Sequence, residues 1–318
     1  MAVASDVESL RSTHRVRQCR DHAIRGFQFV MFRALSRKAL VTAPVADLKM
    51  RASKIAAVDP TLHVRINGCA ESLNACRASH SCIEQIENVA SSHWWRTDLE
   101  RLPLSSLNLT ALHGGLNKAL GDANMEGTSA SVEYQQKLYV SLASLPYVEN
   151  ICEIGFNGGH SAQLWLAANP RARVFMFDKR SHPDANERAL KWLHSRPELS
   201  AAKRLELISG WSHLEVRKFA KERPTIKCDL LSIDGSHTMF GASNDLKNAH
   251  LIVRPCCHLA LLDDTNWVRT EASNANGTAL TSWPMQALRK AEADNLTCSL
   301  FNLDEVPGRG VTVMRVNT

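Results

Sequence analysis

Two stretches of the 318-residue chain carry side chains whose types and spacing could do chemistry. The first reads Glu153-Ile-Gly155-Phe-Asn157-Gly158-Gly159-His160-Ser161. Its glycines let the backbone come close to a ligand where a Cβ would clash. Its first residue is an acid. A pyrophosphate held in such a turn would be repelled by Glu153, whereas a ligand with a positive charge would be attracted. Further on, Asp178 is the type of residue that accepts hydrogen bonds from ribose hydroxyls. The second stretch is Asp234-Gly-Ser-His237, followed later by Asp263-Asp264. Histidine titrates near neutral pH, so His237, three residues past Asp234, suits the task of taking a proton.

These groups need elements to position them. Residues 151–154 are a short apolar run broken only by Glu153, and apolar residues return at helical spacing over 161–168. Asn169-Pro170 stops that helix, because proline disfavours helical geometry in the residue before it. A second buried strand is expected at 174–177, with Asp178 at its tip. Strand, glycine turn, helix and strand together read as the first βαβ unit of a nucleotide-binding sheet. Further strands are expected at 205–208, 228–233 and 259–262, the last two ending in Asp234 and in Asp263-Asp264. Helices are expected at 132–145, 185–194, 242–253 and 282–293, the last with Pro284 in its first turn. Residues 297–303 and 310–316 read as a closing hairpin around Pro307-Gly308. In a doubly wound sheet, ligands bind outside the carboxyl ends of the strands, at the switch point.

The form E-x-G-x-N-G-G-H-S resembles motif I of the class I S-adenosylmethionine (SAM)-dependent methyltransferases. Their ligand has a ribose, an adenine, an amino group and a sulfonium, and no phosphate. The resemblance implies an α/β fold. Residues 121–318 would form a Rossmann-like, doubly wound, seven-stranded methyltransferase sheet, and residues 1–120 a mainly helical N-terminal region. It implies that Glu153 faces the methionine amino group and that Gly155, Asn157, Gly158, Gly159 and Ser161 hold the cofactor. Asp178 would bind the ribose, and Trp211, Ser212 and Asp234 would complete the cofactor site. Residues 125–129 match, by position, the loop that closes over the methionine end. Many relatives have G-D-S at the third-strand turn, next to the adenine; this chain has Gly210-Trp211-Ser212, and Trp211 could stack on the ring.

In the resembled fold the first, fourth and fifth strands lie side by side, with paired strands about 4.8 Å apart. Asp234, Asp263 and Asp264 would then converge beside the glycine turn. Three carboxylates so close repel one another unless something neutralises them. A hard divalent cation bound through oxygen, Mg²⁺ first among them, is the natural answer. It would lower the pKa of a substrate hydroxyl and aim the oxygen at the methyl carbon. D-G-S-H followed by D-D resembles a branch of metal-dependent O-methyltransferases that includes those acting on macrolide sugars. Carried over by position, Asp234, Asp263 and Asp264 would hold Mg²⁺ and His237 would be the base beside Asp234. Some of those relatives have Glu-Asp in place of Asp263-Asp264, and the shorter side chain leaves open a metal held by Asp234 and one partner. The lysine that the catechol-type branch carries after its fourth strand is not present.

The rest of the chain narrows the classes. A net charge of +6, without a dense basic stripe, argues against a nucleic-acid partner. No apolar run approaches the ~20 residues of a membrane span. Nine cysteines without a regular framework read as reduced thiols of an intracellular protein, so a cytoplasmic location is expected. Residues 1–42 are arginine-rich, which leaves organelle targeting open, although Asp6, Glu8 and Asp21 favour an amphipathic helix docked on the body. Helices are expected at 45–58 and 72–90. Residues 91–121 read as loop, with Pro103 and Gly114-Gly115 as breakers. Cys69, Cys76, His80 and Cys82 lack the C-x₂-C spacing of a zinc knuckle. A small-molecule acceptor is the expected partner, and a homodimer is open. The competing readings are a metal-independent methyltransferase acting on nitrogen or protein, a dinucleotide-dependent oxidoreductase, and a catalytically silent methyltransferase-like interaction protein.

Overall fold

The computed structural model describes residues 108–121, 129–255, 257–266, 282–303 and 309–318. The helices expected at 45–58 and 72–90, the Cys/His group at 69–82, most of the loop at 125–129, residues 267–281 and the Pro307-Gly308 turn lie outside these residues.

Seven strands form one sheet: β1 (Asn150–Ile154), β2 (Arg173–Asp178), β3 (Leu205–Ser209), β4 (Leu230–Ile233), β5 (Leu259–Leu262), β6 (Thr297–Leu303) and β7 (Val311–Val316). Their order is β3-β2-β1-β4-β5-β7-β6. The first five are parallel, and β7 runs antiparallel to both of its neighbours. This is the doubly wound sheet expected from the sequence. β1, β4 and β5 are side by side at its centre, with the β1/β4 junction as the switch point where the order reverses. The central strands are almost wholly apolar because helices cover both faces. Side chains alternate across the sheet. Thus Ile151, Val174 and Leu230 join one apolar core, while Cys152, Phe175 and Leu231 join the other.

Eight helices are described: α1 (Leu109–Leu120), α2 (Glu133–Ala143), α3 (His160–Ala168), α4 (Pro183–His194), α5 (Ala201–Arg204), α6 (Ser212–Glu222), α7 (Met239–Ile252) and α8 (Trp283–Ala293). Among these described residues, no helix is long and apolar enough to cross a membrane.

Helix α1 corrects the loop expected at its position. Asn108 caps it, accepting from the Ala111 N–H at 2.9 Å, and Leu112, Leu116 and Leu120 bury one face at helical spacing. Gly115 is a packing residue there, not a breaker. A Cβ on it would stand 2.8 Å from the Trp192 ring on α4, whereas one on Gly114 would meet nothing within 4 Å. Gly114→Ala should therefore stabilise the fold by roughly 0.5–1 kcal/mol, the usual gain over glycine inside a helix. Gly115→Ala has the same intrinsic gain but must push Trp192 aside, which costs about 1–3 kcal/mol. Urea denaturation of the two variants checks this; equal midpoints would refute the packing role.

The expectation of reduced thiols fails: Cys152, Cys228, Cys257 and Cys298 are all disulfide-bonded. Cys152 on β1 and Cys228, just before β4, form a disulfide with Cα atoms 5.7 Å apart. Neighbouring strands bring two cysteines 76 residues apart within bridging distance, which their spacing in sequence could not reveal.

Candidate active site

The glycine turn lies between the ends of β1 and α3 and is already formed by the protein's own contacts. Gly155 has φ +109°, and a Cβ on it would stand 2.1 Å from the Asp234 carbonyl oxygen. Only glycine lets the ends of β1 and β4 come this close. The Asp178 carboxylate closes the turn from β2: Oδ2 accepts the N–H groups of Phe156 at 2.8 Å and Asn157 at 3.1 Å. Oδ1 accepts from the Arg180 N–H. A carboxylate has about four acceptor positions, so Oδ1 keeps one beyond these three bonds. Asn157 adopts φ +46°, and the Asn186 side chain on α4 donates to its carbonyl at 2.6 Å.

Glu153 is fully buried, and its Oε2 accepts from Ser161 Oγ at 2.6 Å and from Trp165 Nε1 at 3.0 Å. Its Oε1 has no hydrogen-bond partner in direct reach, and the hydroxyl of Ser232, its register neighbour on β4, is close enough to favour the charged form. Burial pushes the Glu153 carboxyl up to about 8, against the bonds from Ser161 and Trp165 that favour the charged form. The sign for stability follows from linkage. An acid whose folded pKa is raised contributes stability that is present below its unfolded pKa and is lost as pH rises through the folded one. Glu153→Gln should therefore flatten the stability-pH curve between about pH 4.5 and 8 and raise the melting temperature most at pH 9. Thermal unfolding across that range checks it; a curve parallel to the parent's would refute it.

Trp211 and Ser212 stand at the end of β3, next to the tip of β2. Trp211 is 57% exposed, and Lys179 Nζ lies 5.1 Å from its ring centroid. Ser212 Oγ donates to Asp245 Oδ1 at 2.6 Å. Asp245, on α7, is a residue that sequence reasoning missed. It is buried, its other oxygen has no partner, and it faces the space beside Gly235.

Asp234, at the end of β4, and Asp263-Asp264, at the end of β5, come together with His237 as the register of β4 and β5 requires. The imidazole sits between two acids, with Nε2 3.5 Å from Asp234 and Nδ1 3.2 Å from Asp264. Only a doubly protonated ring presents a donor to both. The hydrogen bond with Asp234, together with the negative charge of Asp264 and the other acids, pushes His237 up to about 9 against the desolvation of a half-buried ring. Asp263 has different partners. Gln135 on α2 donates its amide Nε2 to both oxygens, at 2.8 and 2.9 Å, and the Asp264 N–H donates to Oδ1 at 2.9 Å. Arg309, just before β7, donates to Gln135 Oε1 at 3.1 Å. Burial first, then Asp234 and Asp264, drive the Asp263 carboxyl up, while Arg309 pulls it down. Gln135 and Arg309 were also missed; the Gln135 contact spans 128 residues and leaves no local signal.

The residues present fit SAM in two respects. The glycine turn is a cradle that a Cβ would fill, and Glu153 offers a buried oxygen without a partner to a positively charged group. For a divalent cation the donors are hard oxygens, as Mg²⁺ requires. Asp234 and Asp264 face His237 from its two ring nitrogens, while Asp263 is engaged by Gln135. Among the described residues, no three His, Cys, Asp or Glu side chains are already arranged around a metal position.

Comparison with known proteins bears on the fold that carries these residues. Residues 152–265 match a family model described as a methyltransferase domain. That segment holds the glycine turn, Asp178, Asp234, His237 and the acid pair. The structure resembles that of cofactor-bound Rv0187 from MTB, with 20% identity, a TM-score of 0.50, and coverage of 65% of this chain and 90% of that one. It also resembles an O-methyltransferase from Bacillus cereus in complex with SAH, with 17% identity, a TM-score of 0.50, and coverage of 68% and 100%. These two likenesses show the shared fold. A search among curated proteins finds no match. The matched segment is a methyltransferase domain, and the chemistry of that enzyme class is methyl transfer from SAM.

Proposed function

We propose that this enzyme methylates a hydroxyl oxygen of a small molecule, with Asp234, His237 and Asp264 at the reacting oxygen. One observation carries the reading: an imidazole is held between two carboxylates at the end of β4 and β5, next to the glycine turn. SAM supplies an electrophilic methyl group, which an oxygen nucleophile takes by in-line displacement. The chain's residues bind, orient and exchange a proton. Glu153 presents its free oxygen to the methionine amino group, and an ammonium there favours the charged carboxylate. The turn from Gly155 through Asn157 to Gly158 and Gly159 supplies backbone, with Ser161 holding Glu153. Asp178 takes a ribose hydroxyl on Oδ1, and Trp211 offers its exposed face to the adenine beside Ser212.

At the acceptor, Asp234 or Asp264 orients the hydroxyl. His237 receives the proton once one carboxylate has turned from the imidazole to another partner and the ring has become neutral. A divalent cation would be held by Asp234 and Asp264 with Asp263 behind them, and it would acidify the acceptor hydroxyl. A metal-independent route is the second reading. Two cationic groups, His237 and Arg309, already stand against the acids, so the cluster has counter-charge of its own.

Calorimetric titration of the full chain with SAM, with and without Mg²⁺, tests the proposal. Saturable binding is expected in both buffers, followed by methyl transfer to hydroxylated acceptors, vicinal diols first. Absence of SAM binding in both would overturn it. Full activity in the presence of a chelator would favour the metal-independent reading.

A further inference from the structure

The two acids of the pair at the end of β5 are adjacent in sequence, yet their carboxylates meet different side chains at contact distance. Asp264 faces His237. Asp263 is turned toward α2, and the Gln135 amide covers both of its oxygens. Gln135 is itself fully buried. Its amide orientation follows from its partners. Arg309 has only donors, so it must meet the Gln135 oxygen, and the amide nitrogen is left to face Asp263, which can accept. The carboxylate so held then accepts the Asp264 N–H. Asp264 needs this bond because its backbone is left-handed, at φ +54°, a conformation that a residue other than glycine keeps only when its surroundings impose it.

We propose that Gln135 is a positioning residue: through Asp263 it holds Asp264 in the left-handed turn that aims its carboxylate at His237. The chain of contacts runs Arg309, Gln135, Asp263, Asp264, His237, and so joins β7, α2, β5 and the loop after β4. Asp263 works within it as a spacer, a role that its place in the acid pair does not suggest. The inference rests on the methyl-transfer reading only where activity is measured.

The test needs neither acceptor nor cation in its first arm. In the full chain, the ¹⁵N imidazole spectrum of His237 reports which ring nitrogens are hydrogen-bonded. Gln135→Met, close in volume but with no donor, should shift the Nδ1 signal in the same sense as Asp264→Asn, while SAM affinity by calorimetry stays that of the parent. Should Gln135→Met fail to fold, Arg309→Met serves, since it frees the Gln135 amide to rotate and should shift the same signal partway. In the second arm, Gln135→Met should lower kcat by about 10²-fold with little change in the KM for SAM, the size expected when a reacting group is displaced by about 1 Å. Combining it with Asp263→Asn should add little further loss, because the two act along one path.

A folded Gln135→Met protein with a parent-like His237 spectrum would overturn the proposal, as would additive losses in the double variant. Absence of SAM binding by the parent would instead sink the proposed function, and the spectrum would still decide the role of Gln135.

Discussion

Replacing His237 with alanine should lower the rate of methyl transfer by about 10²–10⁴-fold, the usual contribution of a general base, and leave SAM affinity unchanged. The separation follows from geometry. His237 touches the acids at the ends of β4 and β5, not the glycine turn or Asp178. The glycine turn and Asp178 keep their contacts when the ring is removed. Single-turnover rates and calorimetry on the same preparation check the prediction. A variant that keeps parental kcat would remove His237 from the mechanism, and one that loses SAM binding as well would make its role structural.

The pH dependence gives the same prediction a sign. In the absence of substrate, Asp234 and Asp264 stabilise the imidazolium, and the ring gives up its proton only near pH 9. The base is the neutral form, so kcat/KM of the free enzyme should rise with pH through about 9 in chelator. Mg²⁺ bound at Asp234 and Asp264 would compete with the proton for the same carboxylates, and the rising limb should move to lower pH as Mg²⁺ is added. A profile indifferent to Mg²⁺ would speak for the metal-independent route. In the alanine variant the limb should disappear, which separates titration of His237 from that of other groups.

What the sequence made legible follows from range. The βαβ unit showed itself because its signals are local: an apolar run, a glycine turn, helical spacing and Asn169-Pro170 within residues 151–178. The strand order came with the resemblance that this unit carried, and the closing hairpin with its own local turn signal at Pro307-Gly308. Asp234, His237 and Asp264 were legible as residue types at strand ends, and the register of β4 on β5 brings them together. Helix α1 was hidden because Gly114-Gly115 reads as a breaker until Trp192, some 80 residues away, is known to need the space at Gly115. The division of labour between Asp263 and Asp264 was hidden for the same reason. Adjacent acids of one type look equivalent, and only Gln135 and Arg309, from opposite ends of the domain, tell them apart. Asp245 likewise reads as an ordinary helix residue until Ser212 of another helix is seen to donate to it.

Gly155→Ala should have the largest effect of any single methyl group added to the domain. The new Cβ would stand 2.1 Å from the Asp234 carbonyl oxygen and 2.8 Å from its carbonyl carbon, and backbone atoms cannot step aside as the end of a side chain can. The residue would also have to hold φ +109°, which L side chains rarely adopt. Overpacking costs about 1–3 kcal/mol and backbone strain a similar amount, so the variant should lose roughly 2–6 kcal/mol of stability. Relief comes only by separating the ends of β1 and β4. That breaks the Asp234 N–H bond to the Ile154 carbonyl and moves both the turn that would hold the cofactor and the acid that would face the acceptor. SAM binding should therefore fall by more than about 100-fold even where the protein stays folded, since a 1 Å misplacement alone costs that much in a positioned site. Gly114→Ala is the matched control, the same methyl group on a glycine with open space around it. If Gly155→Ala kept parental SAM affinity and melting temperature, the turn would not be the element around which the site is built.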